Sequence, residues 1–102
     1  MDKTVLDFIK RFTENGRNQG TIESFTHGCC YWFAKILSER FHKRNPKLMY
    51  DQVENHFGCR IGDIVYDITG DVTNKYRWET WGSVRREDEL LAKRINRDCI
   101  NF

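Results

Sequence analysis

The sequence contains a cysteine, a histidine and an aspartate whose order and setting suit thiol chemistry. Cys30 begins an apolar helical stripe, whereas His56 and Asp67 fall in two runs with the character of strands. A helix N-terminus and a nearby imidazolium favour the thiolate, which is the reactive form of cysteine. The imidazole can then carry a proton, and the carboxylate can fix the tautomer and orientation of the ring. These three residues are therefore the candidate parts of a thiol nucleophile system.

The stripe that begins at Cys30 predicts a central helix from residue 29 to about residue 43. Its apolar positions follow helical spacing, and charged residues lie largely off the stripe. The stripe consists of Cys30, Phe33, Ala34, Leu37 and Phe41. Cys29 lies off the stripe and is interpreted as a bystander. The alternative for Cys30 is a structural thiol, because free cysteine is among the most buried residue types.

Three strands are predicted after Pro46. The first is the segment KLMY, and the segment NHFGCRIGDIVYDITG supplies two more with a two-residue turn at Gly62 and Asp63. This turn would pair Ile61 with Ile64, Cys59 with Tyr66, Gly58 with Asp67 and Phe57 with Ile68. Because successive side chains of a strand point to opposite faces, this register places six largely apolar residues on one face. Its members are Phe57, Cys59, Ile61, Ile64, Tyr66 and Ile68.

The same register places His56 and Asp67 together on the opposite face of the hairpin. As diagonal neighbours on adjacent strands, their side chains are expected to come within reach of each other. The alternative is that His56 is only a polar residue at the start of a strand and Asp67 only a carboxylate on a solvated face. The shared face favours the interpretation in which the two act together.

Three further segments complete the predicted secondary structure. Residues 3–13 have an apolar helical face made of Val5, Phe8, Ile9 and Phe12, and residues 14–28 are expected to form a long loop. The aromatic segment 71–84 has no clear period, and we expect an irregular stretch that packs Tyr76, Trp78 and Trp81 against the body. Residues 86–96 are predicted to form a closing helix that carries Leu90, Leu91 and Ile95.

The composition indicates a single domain over residues 1–102. The chain has 39% hydrophobic residues, and 17 Lys and Arg against 15 Asp and Glu give a net charge of +2. This charge is too small to indicate nucleic acid, and no apolar run is long enough to span a membrane. The four cysteines lack the spacing of a disulfide-rich secreted module, so a cytoplasmic protein with free thiols is expected.

Two stretches of this sequence resemble a known enzyme superfamily. The segment GCCYWFA resembles the Gly-x-Cys-x-x-Phe-Ala pattern at the start of the central helix in the transglutaminase-like branch of the papain-like cysteine enzymes. The segment NHFGCRIGDIVYDIT resembles the histidine strand and aspartate strand of the same superfamily. Small phage and bacterial proteins of this type, whose function is unassigned, are also similar.

The resemblance implies an α+β fold with a small papain-like core, flanked by N- and C-terminal helices. It further implies that Cys30 is the nucleophile, His56 the base and Asp67 the orienting acid, with no cofactor. The sequence departs from the pattern at Ser24, where papain-like proteases often place a glutamine that holds the oxyanion. The backbone amide of Cys30 and a side chain such as Gln19 are then the candidate oxyanion donors.

A zinc site is an alternative use of these residues. Histidine and thiolate ligands suit zinc, and the candidate ligands are His27, Cys29, Cys30 and His56. Adjacent cysteines seldom bind one metal ion together, and the chain lacks the paired Cys-x-x-Cys spacing of common zinc sites. The metal interpretation is therefore secondary to the nucleophile interpretation.

The leading functional hypothesis is a hydrolase or acyl transferase, similar to a cysteine peptidase, that acts on an amide, isopeptide or thioester bond of a peptide or protein. Its place of action would be the cytoplasm, or the host cytoplasm if a phage encodes the chain. The alternative is a non-catalytic phage or bacterial protein that retains the papain-like frame and masks a host protein. The sequence leaves the substrate and the oligomeric state open.

Overall fold

The computed structural model describes residues 3–16, 30–95 and 97. Within them the chain forms an α+β fold of four α-helices and one five-stranded antiparallel sheet. The helices are α1 (Lys3–Gly16), α2 (Cys30–Arg40), α3 (Trp81–Glu87) and α4 (Glu89–Ile95). The strands are β1 (Lys47–Asp51), β2 (His56–Ile61), β3 (Ile64–Asp67), β4 (Gly70–Asp71) and β5 (Glu79–Thr80). None of the described helices is long and apolar enough to cross a membrane.

Helix α1 packs its predicted apolar face against α2. Val5 and Ile9 are buried, and the ring of Phe12 meets that of Phe33 edge-on at 5.1 Å between centroids. The prediction of a helix over residues 3–13 is confirmed. The helix extends to Gly16, so residues 14–16 do not belong to the expected loop. The rest of that loop lies outside the described residues.

Helix α2 begins at Cys30 and buries the predicted stripe against β2. Its end differs from the prediction, because the α-helix stops at Arg40 and a 3-10 turn, His42–Arg44, replaces its expected last residues. Phe41 nevertheless stays in the core, since its backbone N–H still bonds to the carbonyl of Leu37 at 3.0 Å. Asn45 then takes a left-handed conformation, with a φ of 52°, and leads the chain out of the turn.

The sheet has the strand order β4-β3-β2-β1-β5, with β2 at its centre. The predicted turn at Gly62 and Asp63 is confirmed, since Ile61 pairs with Ile64 and Cys59 with Tyr66. Gly62 has a φ of +66°, which glycine adopts readily. The pairs expected beyond this point, Gly58 with Asp67 and Phe57 with Ile68, fall outside the ladder. Ile68 lies beyond the end of β3, which stops at Asp67, the residue that pairs with Gly70 of β4.

The two faces of the sheet are both covered. The predicted apolar face joins α1, α2, α3 and α4 in the main core, with Cys59 and Tyr66 completely buried. The opposite face is not solvated, because Met49, Val65 and Val72 form a second cluster there. Tyr76 and Trp78 pack on this cluster, as expected of the aromatic segment. Polar residues on this face are therefore buried as well.

The predicted closing helix over residues 86–96 is wrong in its extent. Two helices occupy this part of the chain, and the first begins at Trp81, where the hydroxyl of Thr80 accepts a hydrogen bond from the N–H of Ser83. Asp88 separates the helices, and its carboxylate accepts the N–H of Leu91 at 3.0 Å in the first turn of α4. Aspartate favours such a capping position over a helix interior, which explains the break.

Candidate active site

Cys30 is the first residue of α2 and is 7% exposed. At this position the first N–H groups of the helix have no intrahelical acceptors, and the helix dipole presents its positive end. Both effects favour an anion at the start of the helix. The aromatic and aliphatic stripe buries α2 against the sheet. Cys30 thereby lies close to His56 at the start of β2.

His56 is the first residue of β2 and joins the other two predicted site residues. Its Nε2 lies 2.9 Å from Oδ2 of Asp67. An ionised carboxylate only accepts hydrogen bonds, so Nε2 carries a proton and donates it to Asp67. Cys30 is the second side chain that interacts with the His56 ring, and this interaction raises the pKa of the imidazole. The structure thus brings Cys30, His56 and Asp67 together in that order.

The surroundings of His56 favour its charged form. Burial alone would lower the pKa of the imidazole, but the hydrogen bond to Asp67 and the interactions with Cys30 and Asp67 raise it from 6.5 to about 9. The imidazole is therefore protonated at neutral pH.

Asp67 is held in place by more than the histidine. Its Oδ1 accepts the backbone N–H of Thr69 at 2.7 Å and the hydroxyl of the same residue at 2.5 Å. Burial would raise the pKa of this carboxyl, but the hydrogen bonds from His56 and Thr69 hold it below the usual 3.8. Asp67 is therefore ionised at neutral pH. Sequence analysis did not assign this role to Thr69, although a threonine two residues after an aspartate is typical of such a turn.

Two aromatic rings cover His56. The Tyr76 ring stacks on the imidazole with 4.6 Å between centroids and an interplanar angle of 25°, and Trp78 lies 6.0 Å away. Gly58 makes room for this arrangement, because a Cβ at that position would lie 2.9 Å from the indole of Trp78 and 2.8 Å from Val65. A stacked aromatic face also stabilises a charged imidazole. The sequence predicted that Tyr76 and Trp78 pack against the body but not that Tyr76 contacts His56.

Asp51 is a buried carboxylate that the sequence analysis missed. It lies opposite His56 in the register of β1 and β2 and is 2% exposed. Its two oxygens accept the backbone N–H groups of Val53, Glu54 and Arg77 at 2.7, 3.2 and 3.0 Å. Burial raises the pKa of this carboxyl, but these hydrogen bonds outweigh burial and lower it. Asp51 thereby fixes the segment that carries Tyr76.

A family model supports placing the protein among phage-related proteins. The model described as "Phage YunG-like protein" matches residues 5–98. The chain belongs to the Phage YunG-like family. No curated protein and no solved structure matches the chain significantly. The family description names no activity, so the chemistry of this YunG-like protein has to be inferred from its site.

The sequence analysis also assigned site roles to residues that precede α2 in the chain. These residues, Gln19, Ser24, His27 and Cys29, lie outside the described residues. The zinc alternative and the oxyanion role of Gln19 therefore stay predictions. Among the residues that the structure describes, no group of three or more histidine, cysteine, aspartate or glutamate side chains is placed to hold a metal ion.

Proposed function

We propose that Cys30, His56 and Asp67 form a catalytic triad for thiol-dependent acyl chemistry. The observation that carries the proposal is the contact of one imidazole with two partners. Nε2 of His56 bonds to the buried carboxylate of Asp67, and the Cys30 side chain at the start of α2 also interacts with the ring. This arrangement brings together a thiol, a proton carrier and an orienting acid, which are the groups that a cysteine nucleophile requires.

The proposed reaction proceeds in two halves. In the first, the Cys30 thiolate attacks a carbonyl carbon and forms a C–S bond, while His56 gives its proton to the departing amine or thiol. In the second, water or an acceptor amine attacks the thioester as His56 takes its proton, and the thiolate leaves. Attack by water gives hydrolysis, whereas attack by an acceptor amine gives acyl transfer. The N-terminus of α2, with its positive dipole end, is suited to the oxyanion that forms in each half.

The finer fold assignment is part of the same proposal. A cysteine-bearing central helix on an antiparallel sheet, with the histidine and aspartate on adjacent strands, is the arrangement expected of the small papain-like (transglutaminase-like) core. We propose that the protein is a small relative of that superfamily. Its substrate is then an amide, isopeptide or thioester of a peptide or protein, and the chemistry requires no cofactor. The phage-related family makes the host cytoplasm the proposed place of action.

A non-catalytic binding protein is the second candidate function. The observation in its favour is the burial of the whole triad, since Cys30, His56 and Asp67 are 7%, 4% and 3% exposed. A protein that masks a host partner would keep the fold and use its surface. The exposed side chains of Trp32 and Val53 would then be candidate contacts.

A search for an acyl adduct tests the proposed function. The protein is incubated with a bacterial host lysate, quenched in acid and mapped by mass spectrometry for a mass increase on the peptide that contains Cys30. The adjacent cysteines provide a matched control, because Cys29→Ser is expected to retain the adduct and Cys30→Ser to lose it. His56→Ala is expected to reduce it. If neither lysate nor a panel of acylating thiol probes modifies Cys30, the binding candidate is favoured.

A further inference from the structure

A cleft of about 310 Å³ has Tyr76, the residue whose ring stacks on His56, as part of its lining. It is lined by the turn that follows β1 and by the segment before β5, and Val53, Tyr76 and Arg77 are among its walls. A second pocket of about 310 Å³ adjoins it and shares Val53 and Arg77. The two pockets share one wall, and Tyr76 in the first and Trp78 in the second are the aromatic rings that lie against His56.

Tyr76 contacts His56 of the triad and also lines the cleft. Its ring stacks on His56 at 4.6 Å, and the same side chain lines the first pocket. Burial and the negative charges around it, from Asp67, Glu54, Asp51 and Cys30, raise the pKa of its phenol. A molecule in the cleft that contacts Tyr76 is therefore one aromatic ring away from the imidazole.

The backbone on both sides of Tyr76 is anchored. The N–H of Lys75 bonds to the carbonyl of Val72 at 3.1 Å, and the N–H of Arg77 bonds to Asp51 at 3.0 Å. The indole N–H of Trp78 bonds to the same carbonyl of Val72 at 3.1 Å. A binding wall that is fixed in this way loses little conformational entropy when a ligand docks.

The charges of the cleft are balanced. Two carboxylates, Asp51 and Glu54, stand against two cations, Lys75 and Arg77. The oxygens of Asp51 are already occupied by backbone N–H groups. A polyanion such as a nucleotide, or a strongly cationic ligand, would gain little net attraction here. An aromatic wall with balanced charges instead suits a neutral segment that carries amide groups.

We propose that this cleft binds an uncharged peptide segment next to the bond that Cys30 attacks, and that Tyr76 is the wall between this segment and His56. The inference rests on the proposed function and adds a substrate class and a binding site to it. Tyr76 is assigned as a substrate-binding residue that also positions the imidazole.

Two vinyl sulfones with the same reactive group test this proposal. Methyl vinyl sulfone is too small to use the cleft, whereas a blocked neutral tripeptide vinyl sulfone can fill it. The measured quantity is the ratio of the two rates of Cys30 alkylation, read by mass spectrometry. In the unaltered protein we expect the peptide probe to react about tenfold faster, which corresponds to a modest binding contribution. A tripeptide probe in which glutamate replaces two of the three residues is expected to lose this advantage.

Asn74→Trp places a bulky ring in the cleft and is expected to bring the ratio close to one. Tyr76→Leu is expected to lower the ratio and also to shift the pH profile of methyl vinyl sulfone alkylation, because His56 loses its stacked ring. Leu90→Ser, at an exposed position remote from the cleft, is the control and should leave both rates unchanged. Circular dichroism checks that each variant is folded.

Two outcomes would overturn the inference, and they differ in what else they affect. If methyl vinyl sulfone alkylates Cys30 rapidly but the peptide ratio is near one, or is unchanged in Asn74→Trp, the cleft proposal fails while the triad survives. If neither probe alkylates Cys30 faster than a free thiol, the proposed function fails and the cleft proposal falls with it.

Discussion

Cys30 and Cys59 are both buried thiols, yet their surroundings differ in nearly every other respect. Cys59 lies in the middle of the central strand, is 0% exposed, and burial raises its pKa to about 12. Cys30 lies at the start of a helix and interacts with the ring of His56, whose pKa Asp67 and Cys30 raise. Burial alone therefore does not decide whether a thiol is inert. The groups that can stabilise the thiolate decide it.

The largest expected difference between the two thiols is their rate of alkylation in the folded protein. At pH 7 iodoacetamide should modify Cys30 about 1,000-fold faster than Cys59, because a thiol with a pKa near 12 is almost never ionised. Peptide mapping by mass spectrometry gives both rates in one sample. In 6 M guanidinium the two rates should converge, and similar rates in the folded protein would remove the distinction.

A second prediction concerns the dependence of stability on pH. The pKa of His56 rises from 6.5 to about 9 on folding, so the native protein binds this proton more tightly than the unfolded chain does. The resulting stabilisation is complete below about pH 6.5 and is lost as the pH rises through 9, with a magnitude of up to about 3 kcal/mol. Urea unfolding of the original protein and of His56→Gln at pH 6 and pH 9.5, under reducing conditions, measures it.

The difference in the free energy of unfolding between the original protein and His56→Gln isolates the contribution of His56. Their free energies of unfolding should lie further apart at pH 6 than at pH 9.5. A gap that stays the same at both pH values would show that folding does not raise the pKa of His56.

Serine substitutions at Cys30 and Cys59 are expected to lower the stability of the folded protein by different amounts. Cys59→Ser buries a hydroxyl in the apolar core, where an unsatisfied polar group costs about 2 kcal/mol. Cys30→Ser should cost less than about 1 kcal/mol, because the new hydroxyl lies beside the polar ring of His56, with which it can form a hydrogen bond. Cys59→Ala serves as a control for the lost volume alone. Equal losses for the two serine variants in urea unfolding would contradict the contrast.

The sequence predicted the contact between His56 and Asp67 because the elements that place them depend on local patterns. The stripe from Cys30 to Phe41 has helical spacing, and the turn at Gly62 and Asp63 sets the register of the hairpin. That register places His56 and Asp67 on one face, and in the structure Nε2 of His56 lies 2.9 Å from Oδ2 of Asp67. Each of these inferences needed only residues close together in the chain or joined by one tight turn.

Other features were not predictable because they depend on long-range packing. Asp51 bonds to the N–H of Arg77, 26 residues later, and Tyr76 covers His56 from a segment without periodicity. The sequence gives no local signal for either contact. The break at Asp88 was missed for a different reason, because a capping aspartate between two short helices resembles an acidic residue within one long helix.

The dependence of Cys30 alkylation on His56 is the smallest of these effects and the most direct test of the triad. The iodoacetamide rate at Cys30 is measured from pH 5 to pH 10 in the original protein, in His56→Ala and in Asp67→Asn. We predict that His56→Ala slows the rate at pH 7 by about tenfold, that Asp67→Asn slows it less, and that the rate at Cys59 does not change. If Cys30 reacts at the same rate with and without His56 across this range, the imidazole does not activate the thiol and the proposed triad is wrong.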